Sequence, residues 1–151
     1  EYDAIIVSNY DKGFLNGNHI NQICLYHNNV FYDSKAKLTR DIPHNLKFFK
    51  INQYELELSP MLKLRVGNGP DSKCQSAKQI IVTYGHKGCK YMGEMYPPPK
   101  KVVAQDLSGA GDTFVAALAV SITRGDDTKT SINFANECAC KVVSKRGVVT
   151  V

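Results

Sequence analysis

Asp106-Leu107-Ser108-Gly109-Ala110-Gly111-Asp112-Thr113-Phe114-Val115-Ala116-Ala117-Leu118 is the stretch on which the reading of this chain turns. A tight run of small residues leads into an apolar helix, with a carboxylate at the exit of the turn. Gly109, Ala110 and Gly111 leave main-chain N–H groups uncovered at a helix start, where the helix dipole favours bound anions. Asp112 sits beside that site and would repel a phosphate, so its placement calls for a reason. A general base for an attacking hydroxyl supplies one. An anion cradle with an adjacent base is the minimal equipment for phosphoryl transfer to an alcohol. The plainer reading is a Gly-rich helix start with Asp112 as an early-turn charge.

Working outward, a helix is predicted from about Ala110 to Ile122, ending near Gly125. A second is predicted from Lys129 to Ser144, with Gly147 closing it and 148–151 as an edge strand. Upstream, Ala4 to Ser8 reads as a buried strand, residues 17–28 as a helix striped by Ile20, Ile23 and Cys24, and Val30 to Tyr32 as a short strand. Leu46 to Ile51 is another apolar run ending at Asn52, followed by a short helix over 53–59 that Pro60 stops. Residues 67–75 read as a loop. Gln79 to Tyr84 is a strong strand, followed by a turn with Gly85 and Gly88 and a returning segment, Cys89 to Met92. Pro97, Pro98 and Pro99 enforce an extended connector. Apolar strands without clean alternation, separated by helical patterns, indicate an α/β fold whose mainly parallel sheet carries helices on both faces. Ligands bind such sheets beyond the carboxyl ends of the strands, where Asn9, Asp33, Asn52, Thr83 and Asp106 fall.

Composition bounds the function. The 151 residues are 43% hydrophobic and 22% charged, ordinary for one globular domain. No apolar run approaches the roughly 20 residues that span a bilayer, and no signal-peptide pattern opens the chain. The net charge of +5 comes from scattered Lys and Arg. Such an excess suits a phosphorylated ligand better than nucleic acid, because no aromatic–basic stripe accompanies it. The five cysteines are odd in number and widely spaced, which argues for buried thiols in a reducing cytoplasm. Ser108 lacks the partners of a hydrolase nucleophile, and neither a Walker A lysine nor a Rossmann glycine triplet is present. The four histidines show no metal-binding spacing.

The opening segment resembles the signature of the ribokinase-like (PfkB) carbohydrate kinases, Asp-Thr-x-Gly-Ala-Gly-Asp, with Leu107 in place of the usual Thr or Val. The resemblance implies that the amides of Gly109, Ala110, Gly111 and Asp112 form an anion hole and that Asp112 deprotonates a sugar hydroxyl. Asn52-Gln-Tyr-Glu55 matches the family's Asn-x-x-Glu element, which implies that Asn52 and Glu55 organise Mg²⁺ and its water around ATP; the same four residues also suit a plain capping box. Thr83-Tyr-Gly85-His-Lys-Gly88 is similar to the family's phosphate-side turn, though an ordinary hairpin has the same look. Ser8-Asn-Tyr-Asp-Lys-Gly13 and Asp33-Ser-Lys35 resemble elements of the bacterial heptose-phosphate kinases, with Asn9 for their Asp and Ser34 for their Pro. Lys12 and Lys35 are thereby implied as counter-charges for a phosphorylated sugar, although both could be solvated loop lysines. Phe134 to Gly147 resembles the helix flanking the adenine pocket, which brings in Asn136.

The expectation is a ribokinase-like fold represented by its C-terminal half, a single nucleotide-binding, base-bearing portion over 1–151 without the lid or the Gly-Gly sugar element. The cofactors implied are ATP and Mg²⁺, with room for a monovalent cation, and Glu55 reaches the metal through water. A small phosphorylated sugar is the implied partner, with a homodimer open for the full-length protein. A nucleotide-binding portion without catalysis and a kinase for another small alcohol are the alternatives.

Overall fold

The structure, a computed structural model, describes residues 2–35, 43, 45–60, 62, 78–100 and 107–145. The expected strand over 148–151, the loop over 67–75, Asp106 and Gly147 lie outside them. Six strands form one sheet in the order β1 (Ile5–Asn9), β2 (Val30–Ser34), β3 (Phe48–Asn52), β4 (Ile80–Thr83), β5 (Cys89–Tyr91) and β6 (Glu94–Tyr96). The first four run parallel, and β5 and β6 return antiparallel.

The helices are α1 (Gly17–Tyr26), α2 (Gln53–Glu57), α3 (Ala110–Thr123) and α4 (Thr128–Val143). Local chemistry sets their starts. The Asn16 side chain accepts from the amides of Asn18 and His19, while His19 Nδ1 accepts from the Asn16 amide, so α1 begins with a reciprocal cap. Asp127 accepts from Thr130 N at 3.0 Å to start α4. Bonds from Thr130 hold the Asp127 carboxyl below the usual carboxylate range, the Thr130 hydroxyl contributing most.

Strand alternation divides the core in two. Val30, Tyr32, Phe49, Ile51, Ile80 and Val82 face Ile20 and Cys24 of α1 and Leu56 of α2. Phe31, Phe48, Ile81 and Cys89 face Phe114, Val115 and Leu118 of α3 and Ile132, Ala135 and Cys138 of α4. Both faces are thus covered, and β2 is buried along its whole length, as parallel strands require. Burial raises the Cys89 thiol to about 12, in keeping with a small core hydrophobe; Cys24 and Cys138 are buried as well.

Within the described residues the expected elements are present, with one addition and one correction: β1, expected to be buried, has Ile6 and Ser8 exposed and only Val7 and Asn9 buried, because it pairs with β2 alone among the described strands. The returning segment stops at Tyr91, turns through Met92 and Gly93, and pairs a further strand, β6, which had no apolar run to announce it. Gly88 closes the turn after β4 at φ +87, and a Cβ there would lie 2.1 Å from the Tyr96 carbonyl oxygen. Gly88→Ala combines a forbidden backbone region with main-chain overlap, so a loss of about 2–4 kcal/mol is expected in chemical denaturation.

Candidate functional site

The carboxyl ends of β1 to β4 lie along one edge of the sheet, and register sorts their polar side chains. Ser8 pairs with Asp33, and Asp33 pairs with Lys50. Residues in register share a face, so Ser8, Asp33 and Lys50 form a row on the side covered by α3. Asn52, at the end of β3, pairs in the same way with Thr83 at the end of β4.

Lys50 is 3% exposed and Asp33 2%, and the ammonium lies 3.0 and 3.2 Å from the two carboxylate oxygens. Burial of either charge alone would be prohibitive, so each is the condition of the other. The pair lies beneath the start of α3. A Cβ on Gly111 would stand 2.8 Å from Lys50 Nζ and 3.8 Å from Asp33 Oδ2. Glycine is therefore what lets the turn settle onto the cation.

Above the pair, Gly109 takes φ +76 as the residue before α3. Thr113 N bonds Gly109 O at 2.8 Å and Ala110 N reaches Leu107 O at 3.4 Å. Among the described residues the amides of Gly111 and Asp112 find no main-chain acceptor, as expected of a helix's first turn. Asp112 is exposed. Its Oδ1 accepts from Ser8 Oγ at 3.2 Å and its Oδ2 from the Tyr10 hydroxyl at 2.8 Å.

Asn9 points to the opposite face. Its side chain donates to the Tyr32 hydroxyl at 3.1 Å and accepts from Asp11 N at 3.0 Å, which shapes the loop beyond β1. Lys35 joins two groups of residues, its Nζ lying 5.9 Å from the Tyr10 ring centroid and 3.7 Å from Glu55 Oε1. Glu55 Oε2 accepts from Asn52 N at 2.9 Å, and Asn52 Oδ1 accepts from Glu55 N at 2.8 Å. The capping box is thus formed and α2 begins on it. Thr83 Oγ1 contacts Ile51 O at 3.5 Å, and Gly85 and Gly88 flank the short 3-10 turn that follows.

Asp112, Gly109, Ala110, Gly111, Lys35, Glu55, Asn52 and Thr83 therefore lie at one end of the sheet. Lys12 is exposed on the loop after β1. Asn136 is 5% exposed, and its amide donates to the Tyr96 carbonyl at 3.0 Å, tying α4 to β6. Ser8, Tyr10 and Lys50 take on contacts that the sequence did not assign them, and Asp33, expected at a strand end, is buried against Lys50. The lysine carried a readable signal, a lone cation inside the apolar run Phe48-Phe49-Lys50-Ile51, which cannot stay buried without a partner.

Among the described residues no three His, Cys, Asp or Glu side chains cluster as a metal site. The Glu55 carboxylate nonetheless keeps lone pairs beyond the two contacts it makes, which fits a cation held through water better than one ligated directly. No helix among the described residues is long and apolar enough to cross a membrane.

Comparison with known proteins gives the family and the fold. The model of the pfkB family carbohydrate kinases matches residues 18–151. The Bifunctional protein HldE of a Nitratiruptor species is 30% identical over 162 residues, covering 99% of this chain and 34% of that protein. Among solved structures, the Arabidopsis thaliana ribokinase complexed with ribose and ATP superposes with a TM-score of 0.68 at 20% identity, over 97% of this chain and 51% of that one. The Escherichia coli phosphofructokinase-2 in complex with potassium gives 0.70 at 18% identity, over 97% and 53%. The fold is ribokinase-like, and the chain spans about a third of the length of the curated relative.

Proposed function

We propose that this chain, which belongs to the pfkB family of carbohydrate kinases, carries the base and the anion-binding turn of an enzyme that moves the γ-phosphoryl group of ATP to a sugar hydroxyl. The observation that carries the reading is the Asp112 carboxylate, exposed at the strand ends and adjoining the amides of Gly111 and Asp112. In this reading Asp112 takes the proton of the incoming hydroxyl. The amides of Gly109 to Asp112 stabilise the charge that develops on the phosphoryl oxygens, a role typically worth about 3–4 kcal/mol per donor. Thr83, Gly85 and Gly88 border the nucleotide phosphates, with Asn136 behind them on α4. Mg²⁺, when bound with the nucleotide, neutralises phosphate charge, and Glu55 and Asn52 hold its water shell. The phosphofructokinase-2 of the same fold is in complex with potassium, which is in keeping with a monovalent cation as a further ligand here.

For the acceptor we favour D-glycero-β-D-manno-heptose 7-phosphate, phosphorylated at its anomeric hydroxyl. The Ser8–Gly13 and Asp33–Lys35 elements and the HldE relative support this choice, and Lys12 and Lys35 supply positive charge for the 7-phosphate. Asn9 is the observation on the side of another acceptor. It stands where the heptose kinases carry Asp, and its side chain is already engaged by Tyr32 and Asp11.

A panel of phosphorylated and free sugars, assayed for ATP-dependent phosphate transfer by the protein as it is naturally expressed, tests both levels. The heptose 7-phosphate is expected to exceed the unphosphorylated heptose by roughly tenfold or more in kcat/KM, since a charge-assisted contact is worth at least that. Equal rates would remove the heptose phosphate as substrate. Absence of transfer to any alcohol would remove the kinase reading.

A further inference from the structure

Asp112 lies exposed in the first turn of α3, yet both of its carboxylate oxygens are engaged from more than 100 residues away. Ser8 and Tyr10 are two apart at the end of β1, so strand alternation puts them on one side while Asn9 turns inward. The inward residue fixes the outward ones. Asn9 is 7% exposed, anchored to the Tyr32 hydroxyl, and its Oδ1 holds the amide of Asp11, which sits at φ 57. The loop that presents Tyr10 is thereby built, not draped.

We propose that Tyr10, assisted by Ser8, is a positioning residue for Asp112, holding its carboxylate in the one orientation that faces the amide turn. The inference rests on the reading of Asp112 as the base. A carboxylate offers about four lone-pair sites. Two are taken by the hydroxyls, which leaves acceptor capacity for the substrate while removing rotational freedom. Effective proton abstraction depends on such fixed geometry more than on basicity alone. The hydrogen bond to Asp112, followed by burial, raises the Tyr10 hydroxyl above the ordinary phenol range, so it remains a donor throughout the neutral range. The Lys35 ammonium over the ring opposes part of this rise, since a cation draws the phenol toward its ionised form.

Tyr10 is half exposed, so Tyr10→Phe keeps the ring and removes only the donor. The experiment measures kcat and KM for ATP and acceptor in Tyr10→Phe, Ser8→Ala, Ser8→Thr, Asp112→Asn and the Tyr10→Phe/Asp112→Asn double variant, with thermal melting alongside. Tyr10→Phe is expected to lower kcat about tenfold with KM for ATP and the melting temperature unchanged, the size expected for one bond to a charged group. Ser8→Thr, which keeps the hydroxyl, is expected to recover part of the rate lost in Ser8→Ala. In the Asp112→Asn background, removal of the Tyr10 hydroxyl is expected to change the residual rate less than about twofold, because groups acting as one unit are not additive.

Two results would overturn the proposal while leaving the base intact. One is Tyr10→Phe with kcat near wild type beside a collapsed Asp112→Asn. The other is an equal tenfold loss in the Asp112→Asn background. Full activity in Asp112→Asn would remove the base reading itself, and the positioning role with it.

Discussion

Asp112→Asn is expected to lower kcat by about two to four orders of magnitude, the usual contribution of a positioned general base, with nucleotide affinity nearly unchanged. The substitution preserves shape. An amide oxygen still accepts from Ser8, and the Tyr10 hydroxyl can rotate to accept from the new NH₂ group, so the side chain retains both tethers. What disappears is the capacity to take a proton. Steady-state kinetics with a calorimetric titration of nucleotide separate the two effects. Retained turnover would show that the carboxylate only places charge beside the helix start. Lost nucleotide binding would instead move Asp112 from the acceptor side to the nucleotide side.

The largest effect on stability is expected at Lys50. Lys50→Met leaves the Asp33 carboxylate 2% exposed with its cation removed, and breaking a buried pair in this way typically costs about 3–5 kcal/mol. Replacing both partners, as Lys50→Met with Asp33→Leu, is expected to recover most of that loss, because no charge is then stranded. Chemical denaturation of the three variants measures it. If the single lysine variant unfolds like the wild type, the ion pair is not what stabilises the sheet beneath α3.

Much of the architecture was legible because burial leaves a periodic trace. The stripe Ile20, Ile23, Cys24 foretold α1, the spacing Ile132, Ala135, Cys138, Val142 foretold α4, and the apolar runs before Asn9, Asn52 and Thr83 foretold strands that end in polar groups. The strand β6 left no trace. Glu94-Met95-Tyr96 is three residues long, with only Tyr96 buried, and its pairing depends on the positive-φ turn at Met92 and Gly93.

The site divides along the same line. Gly109, Gly111 and Asp112 could be read locally because a helix start is a local object. The contacts of Ser8 and Tyr10 with Asp112 span 104 and 102 residues, and only the order of strands brings them together. Asn136 shows the opposite case: the helix carrying it was foreseen, whereas its bond to the Tyr96 carbonyl depends on β6. The buried ion pair combines both, with a hint in the oddity of Lys50 and an answer in the pairing of β2 with β3.

That pairing also limits how the chain can vary in length. Because Ser8, Asp33 and Lys50 share a face only through their register, one residue gained or lost inside β2 would swing Asp33 to the α1 side. Lys50 would be left unneutralised under Gly111. Growth and shrinkage of the sequence over generations must therefore be absorbed between the strands, while the three short segments that carry this row keep their spacing.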